Sequence, residues 1–146
     1  HPPVPRFRSM ADFAARLDEL TAVLAFVERR GGELGMTPDV ALRAALIVEE
    51  LFVNGVRHGL APEQSRVRID LQVSGGEVEI GYEDEGLAFD PFSRLAVSDP
   101  PHLRPPEQRP VGGLGVVLVD GFALRRDYRR LDTRNCLRIW LAAPAI

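Results

Sequence analysis

The chain has 146 residues, ordinary apolar and charged fractions for a soluble globular protein, a formal net charge of −3 and one cysteine, Cys136. That length supports one domain with a real core, and the charge gives no whole-molecule pull toward nucleic acid or an anionic membrane. A single cysteine excludes an intrachain disulfide and fits a reducing cytosol, and no apolar run approaches the roughly 18 residues a bilayer span requires.

Residues 1–6 are expected to be a disordered or artificially appended N-terminus, and residues 7–146 a single domain. From residue 10 to 30, Phe13, Leu17, Leu20, Leu24 and Val27 recur three or four apart. This spacing predicts a helix with one apolar stripe, capped at Ser9 or Asp12 and ended by Gly31-Gly32. Thr37-Pro38 opens a second helix, with threonine as N-cap and proline at the first helical position. Its alanines and branched aliphatics run at helical spacing to Val56, and His58-Gly59 is its expected end. Along it Glu50, Asn54 and His58 form a polar stripe at i, i+4 and i+8.

Two strands come next. Val67, Ile69, Leu71 and Val73 alternate with polar residues, Ser74-Gly75-Gly76 makes a turn, and Val78, Ile80 and Tyr82 resume the alternation. The pair should be an antiparallel hairpin. Asp84 shares the parity of Val78, Ile80 and Tyr82, so it emerges on the buried face, where a lone carboxylate is costly without a partner. A ligand is expected there.

From residue 87 to 111 the periodicity dissolves, and six of the twelve prolines fall in this stretch. Long loops of this kind commonly serve as lids or binding segments. Gly112-Gly113-Leu114-Gly115 then opens a short apolar helix over residues 116–122. Glycines before a helix offer free N–H groups and a positive dipole end, a cradle for phosphate. No Lys-Ser or Lys-Thr follows, so this is no P-loop, and the spacing does not fit a dinucleotide fingerprint. Strands over about 123–130 and 135–142 close the chain. Asn135, Leu137, Ile139 and Leu141 share one face of the last strand; Arg138 and Trp140 share the other.

The order of these features carries a resemblance. Glu-x-x-x-Asn-x-x-x-His-Gly precedes a hairpin ending in Asp84-Glu85-Gly86-Leu87-Ala88-Phe89-Asp90-Pro91, then comes a long loop and Gly-Gly-Leu-Gly before a helix. So arranged, residues 7–141 resemble the Bergerat-fold (GHKL-type) ATPases. Phe89-Asp90-Pro91, the run from Arg109 to Gly115, Tyr128 and Arg134-Asn135 look most like the anti-sigma factor serine/threonine kinases. The resemblance implies an α/β two-layer sandwich, with a mixed, mostly antiparallel sheet, three main helices on one face, and ATP beneath a proline-rich lid. It assigns Mg²⁺ to Asn54, the adenine amino group to Asp84 and close backbone approach to Gly86. Gly113, Leu114 and Gly115 would supply amides to the phosphates, with Gly112 as a lid hinge. Glu50 would be the catalytic carboxylate, and Asn135 would lie near the adenine.

The implied activity is transfer of the ATP γ-phosphate to a serine of a STAS-domain anti-sigma factor antagonist, sequestration of a sigma factor, or both. The implied setting is a bacterial, cytoplasmic transcription-control system with a PP2C-type phosphatase counterpart and a homodimeric kinase. Neither direct nucleic-acid nor membrane contact is expected. Two departures stand out. Ala88 replaces the second glycine of Asp-x-Gly-x-Gly, and Val111 stands where related kinases often carry an arginine, with Arg109 two residues earlier. Val111 motivates an alternative, a nucleotide-dependent interaction module without phosphotransfer. A histidine-kinase catalytic domain is a further alternative, which lacks here the helix bearing a phosphoacceptor histidine.

Other polar residues have plainer readings. His58 reads as a structural residue at a helix end, because phosphoryl transfer is mostly positioning and electrostatics. Glu49 points about 100° away from Glu50 around the helix and reads as solvated or salt-bridged. The late arginines, from Arg125 to Arg138, read as exposed strand and turn charges. Trp140 and Tyr128 read as an outer-face contact for another subunit or as sheet cover. His1, His58, His102 and Cys136 lack metal-site spacing.

Overall fold

The computed structural model describes residues 10–57, 65–88, 90 and 123–143. In chain order they form β1 (Ala11–Ala14), a 3-10 turn (Leu17–Glu19), α1 (Leu20–Glu33), α2 (Pro38–Arg57), β2 (Arg66–Ser74), β3 (Glu77–Asp84), β4 (Ala123–Leu131) and β5 (Arg134–Ala142). The sheet order is β1-β2-β3-β5-β4, and every pairing among the described residues is antiparallel. Both helices pack with one face of this open sheet, giving the expected α+β sandwich. The predicted helix at 116–122 lies outside the described residues.

The first predicted helix needs correction. Residues 11–14 are a strand paired with β2, placing Ala11 opposite Ile69 and Phe13 opposite Val67. Asp12 lies within that strand and caps no helix, since α1 starts only at Leu20, and Ser9 lies outside the described residues. Phe13 is buried and meets Phe26 edge-on, with ring centroids 5.9 Å apart. It fits a helical stripe and a strand face equally well, whereas Leu17, 45% exposed, belongs to neither. Nor does Gly31-Gly32 stop the helix. Val23, Val27 and Gly31 are its buried positions, one turn apart, and a Cβ on Gly31 would stand 3.4 Å from the Met36 sulfur and 3.6 Å from the Ala41 Cβ. A side chain at this buried position would be in ordinary contact with Met36 and with Ala41 of α2. The stop comes at Gly35, whose φ of +76° suits the left-handed cap.

α2 follows its sequence closely. Thr37 Oγ1 accepts the Val40 N–H at 3.3 Å, as the N-cap reading requires. Val40, Ala44, Ile47, Val48, Leu51 and Phe52 make the buried stripe. It faces Ile69, Leu71, Val78, Ile80, Leu137, Ile139 and Leu141, all essentially excluded from solvent. Full burial of one such side chain contributes about 1.5–3 kcal/mol, so this shared core dominates folding. The β2–β3 turn is two residues, Gly75 and Gly76, both at positive φ (+58° and +77°), the backbone that twists with its flanking strands.

The parity of β5 is as expected. Asn135, Leu137, Ile139 and Leu141 are buried, while Trp140 lies on the opposite face beneath the Arg125 guanidinium, 4.9 Å from the ring centroid. Arg125 also makes a two-pronged contact with Glu77 at 2.8 and 3.1 Å, and that hydrogen bonding holds the Glu77 carboxyl below its ordinary range. Tyr128 departs from its reading. It pairs with Leu137 and packs against the core, on the helix side of the sheet.

Candidate functional site

One end of α2 meets the end of β3. Gly55 lies three residues beyond Phe52 and four beyond Leu51, so it continues the buried stripe of α2 toward the sheet. A Cβ built there would be 3.8 Å from the Tyr82 hydroxyl and 4.0 Å from Oδ2 of Asp84. The Asp84 carboxylate therefore stands against the helical turn that carries Asn54. Glu50 and Asn54 lie one turn apart beside this stripe, with Oε1 of Glu50 and Oδ1 of Asn54 shut off from solvent.

Asp84 is held by neutral donors. Its Oδ1 accepts the Gly86 N–H at 3.0 Å and the Asn135 amide at 2.9 Å. Among the described residues no cation pairs with this carboxylate, and no hydrogen bond reaches Oδ2, the oxygen facing Gly55. Tyr82, two residues earlier on the same face, is buried. Its hydroxyl is pushed well above the usual phenol value, first by burial and then by the Asp84 charge.

Asn135 sits directly across from Asp84 in the β3–β5 ladder and is 4% exposed. Its amide nitrogen also donates to the Leu87 carbonyl at 2.8 Å, and its oxygen accepts the Tyr128 hydroxyl at 2.6 Å. Arg130, across from Asn135 in the β4–β5 ladder, donates to the Gly86 carbonyl at 2.7 Å. Tyr128 and Arg130 were missed as site residues. Their placement follows from the register: the two-residue turn at Asp132-Thr133 sets Arg130 opposite Asn135 and Tyr128 on the same face.

Five of the expected positions thus gather at one end of α2 and β3, Glu50, Asn54, Asp84, Gly86 and Asn135, with Tyr82 added by the geometry. Gly112, Gly113, Leu114 and Gly115 lie outside the described residues, as do His58, Arg109 and Val111. Ala88 is exposed beside the cluster. Cys136 belongs elsewhere. Its thiol is pushed up by burial and by the Glu83 charge, partly offset by Arg134 and Arg138.

The site thus sets a helix with a buried amide oxygen against a strand-end carboxylate that no cation among the described residues pairs with. A model of the histidine kinase-like ATPase domain family matches residues 13–141, and the chain belongs to that family. The expected Bergerat (GHKL-type) fold is borne out. No curated protein matches the chain in sequence. Among solved structures, the RsbU and RsbW domains of Rv1364c from Mycobacterium tuberculosis are similar, with a TM-score of 0.59 and 13% identity, over 92% of this chain and 32% of that one. The mycobacterial sensor histidine kinase MprB gives 0.52 and 20%, over 94% of this chain and 100% of that one. The histidine kinase domain of the blue-light activated kinase from Erythrobacter litoralis EL346 gives 0.51 and 19%, over 85% and 61%. The chain therefore spans about a third of the first structure and three fifths of the last. At these identities the likeness is one of fold. No helix among the described residues is long and apolar enough to cross a membrane.

Proposed function

We propose that this chain is an ATP-dependent protein serine kinase of the anti-sigma type, acting on a serine of a STAS-domain antagonist. In the same reading it sequesters a sigma factor as a cytoplasmic homodimer, opposed by a PP2C-type phosphatase. The observation that carries the nucleotide part is the approach of Asp84 Oδ2 to Gly55, the residue after Asn54. The anti-sigma branch is supported by the Phe89-Asp90-Pro91 and Arg109–Gly115 runs, and the fold likeness to the RsbU and RsbW domains accompanies it. Residues 7–146 form the single domain of this reading.

In it, Asp84 Oδ2 accepts the adenine amino group in a charge-assisted hydrogen bond. Gly86 gives the base room at the backbone, and Asn135 steadies the carboxylate. Gly113, Leu114 and Gly115 donate amides to the phosphates, with Gly112 as the hinge.

The donor chemistry fits Mg²⁺. Among the described residues no group of three His, Cys, Asp or Glu side chains could hold a metal alone, whereas one hard amide oxygen on Asn54 suits an ion carried largely by phosphates. When bound, Mg²⁺ would neutralise phosphate charge. Glu50, one turn before Asn54, orients the serine hydroxyl and takes its proton on a carboxylate oxygen.

A second reading, nucleotide-gated partner binding without transfer, is favoured by Val111 in place of an arginine near the terminal phosphate. Incubation with γ-labelled ATP and STAS partners decides between them. Label on a partner serine that disappears in Glu50→Ala supports the kinase. Tight partner binding without label, with a partner that a competent kinase phosphorylates, supports the module.

A further inference from the structure

The β4–β5 hairpin reaches over the end of β3 at Asp84, Gly86 and Leu87. Asp84 Oδ1 and the Leu87 carbonyl can only accept hydrogen bonds, so the Asn135 atom facing both must be its NH₂ group. Its carbonyl oxygen is thereby turned to Tyr128, which has to donate. Both amide hydrogens are then committed to protein acceptors, so Asn135 contacts the carboxylate rather than a base. Asp84 Oδ1 holds two N–H donors, and Oδ2 is turned toward α2. Arg130 fixes the next backbone segment through the Gly86 carbonyl.

We propose that Tyr128 and Arg130 are positioning residues for base recognition: Tyr128 locks the Asn135 amide so that Asp84 presents a fixed oxygen to a 6-aminopurine, and Arg130 locks the Gly86 backbone beside it. This rests on the nucleotide reading above. It gives β4 a direct grip on recognition at the end of β3. Tyr128→Phe keeps the ring packed against Leu137 and removes only the donor. The Asn135 amide then loses the hydrogen bond that anchors its oxygen, and Asp84 is aimed less tightly.

The test is titration calorimetry of the full chain with ATP and with inosine triphosphate, each with Mg²⁺. Inosine triphosphate presents a carbonyl where ATP presents its amino group. Tyr128→Phe should weaken ATP about five- to tenfold and leave inosine triphosphate unchanged, the size of one lost neutral hydrogen bond. Arg130→Gln should show the same selective pattern at about threefold. In the ligand-free protein, Tyr128→Phe should also move the Asn135 side-chain amide resonances in NMR spectra. Wild-type ATP affinity in Tyr128→Phe, or equal weakening of both nucleotides, overturns the proposal. A wild-type chain that binds neither nucleotide overturns the nucleotide reading, and the positioning roles fall with it.

Discussion

Two carboxylates on neighbouring strands meet opposite fates. Asp70 of β2 is 1% exposed and answers to a cation, since the Arg30 side chain of α1 reaches it at 3.1 Å. Asp84 of β3 is less buried, and among the described residues its hydrogen-bond partners are an amide and a backbone N–H. A buried charge is costly until paired, so Asp70–Arg30 is a finished structural contact. Asp84 has neutral donors on one oxygen, and its other oxygen, turned toward Gly55, is the one the proposed function gives to the adenine amino group. In the proposed function, the difference separates a residue that serves folding from one that serves binding.

The largest way to break the contrast is at its structural end. Arg30→Met should destabilise the fold by about 3 kcal/mol, because it strands the Asp70 carboxylate without its counter-charge. Urea unfolding measures this, and Arg30→Met with Asp70→Leu should recover much of the loss. ATP affinity of the folded fraction should not move. Asp84→Ala is the reciprocal case. It should cost about 1.5–3 kcal/mol of ATP binding, at least tenfold in affinity, while unfolding free energy changes by less than about 1 kcal/mol. Unchanged ATP affinity in that variant would refute the adenine assignment.

Asp84 was legible in the sequence because strand parity is strict: a residue in step with Val78, Ile80 and Tyr82 must face inward. The cap at Thr37, the β2–β3 hairpin and the inner face of β5 were legible for the same reason, each being set by local pattern. The Arg30–Asp70 pair was not, since it joins residues 40 positions apart on different layers. Strand β1 was hidden because four residues carry too little alternation, and its only strong apolar residue, Phe13, also fits a helical stripe. Insertion of β5 between β3 and β4 is a tertiary choice that no local period encodes. Tyr128 and Arg130 became visible as site residues only once the register across the Asp132-Thr133 turn was known.

Tyr82 sharpens the contrast through pH. Its folded-state value is raised well above the ordinary 10.0 by burial and by Asp84. The hydroxyl therefore ionises more readily in the unfolded chain. Its contribution is fully present below about pH 10 and is lost as pH climbs beyond that value. By linkage the loss approaches about 1.4 kcal/mol per pH unit. Wild type should thus lose stability between pH 10 and 11 more steeply than Tyr82→Phe, while the two stay close at pH 7. Parallel alkaline curves in denaturant titrations would mean the phenol is not sealed against Asp84.

Gly55 gives the smallest expected effect and marks where the site ends. Glycine inside a helix costs roughly 0.5–1 kcal/mol relative to alanine, and this one sits two residues from the end of α2. Its missing methyl would meet the Tyr82 hydroxyl and Asp84 Oδ2 at 3.8 and 4.0 Å, ordinary contact distances that ask neither neighbour to shift. Gly55→Ala should therefore raise unfolding free energy by about 0.5–1 kcal/mol and leave ATP affinity within about twofold. That result would confine recognition to the carboxylate and its hydrogen-bonded holders, with the helix backbone as a wall. A gain in stability joined to a large loss of ATP binding would instead make the space beside Gly55 part of the ligand's seat, extending the binding end of the contrast onto α2.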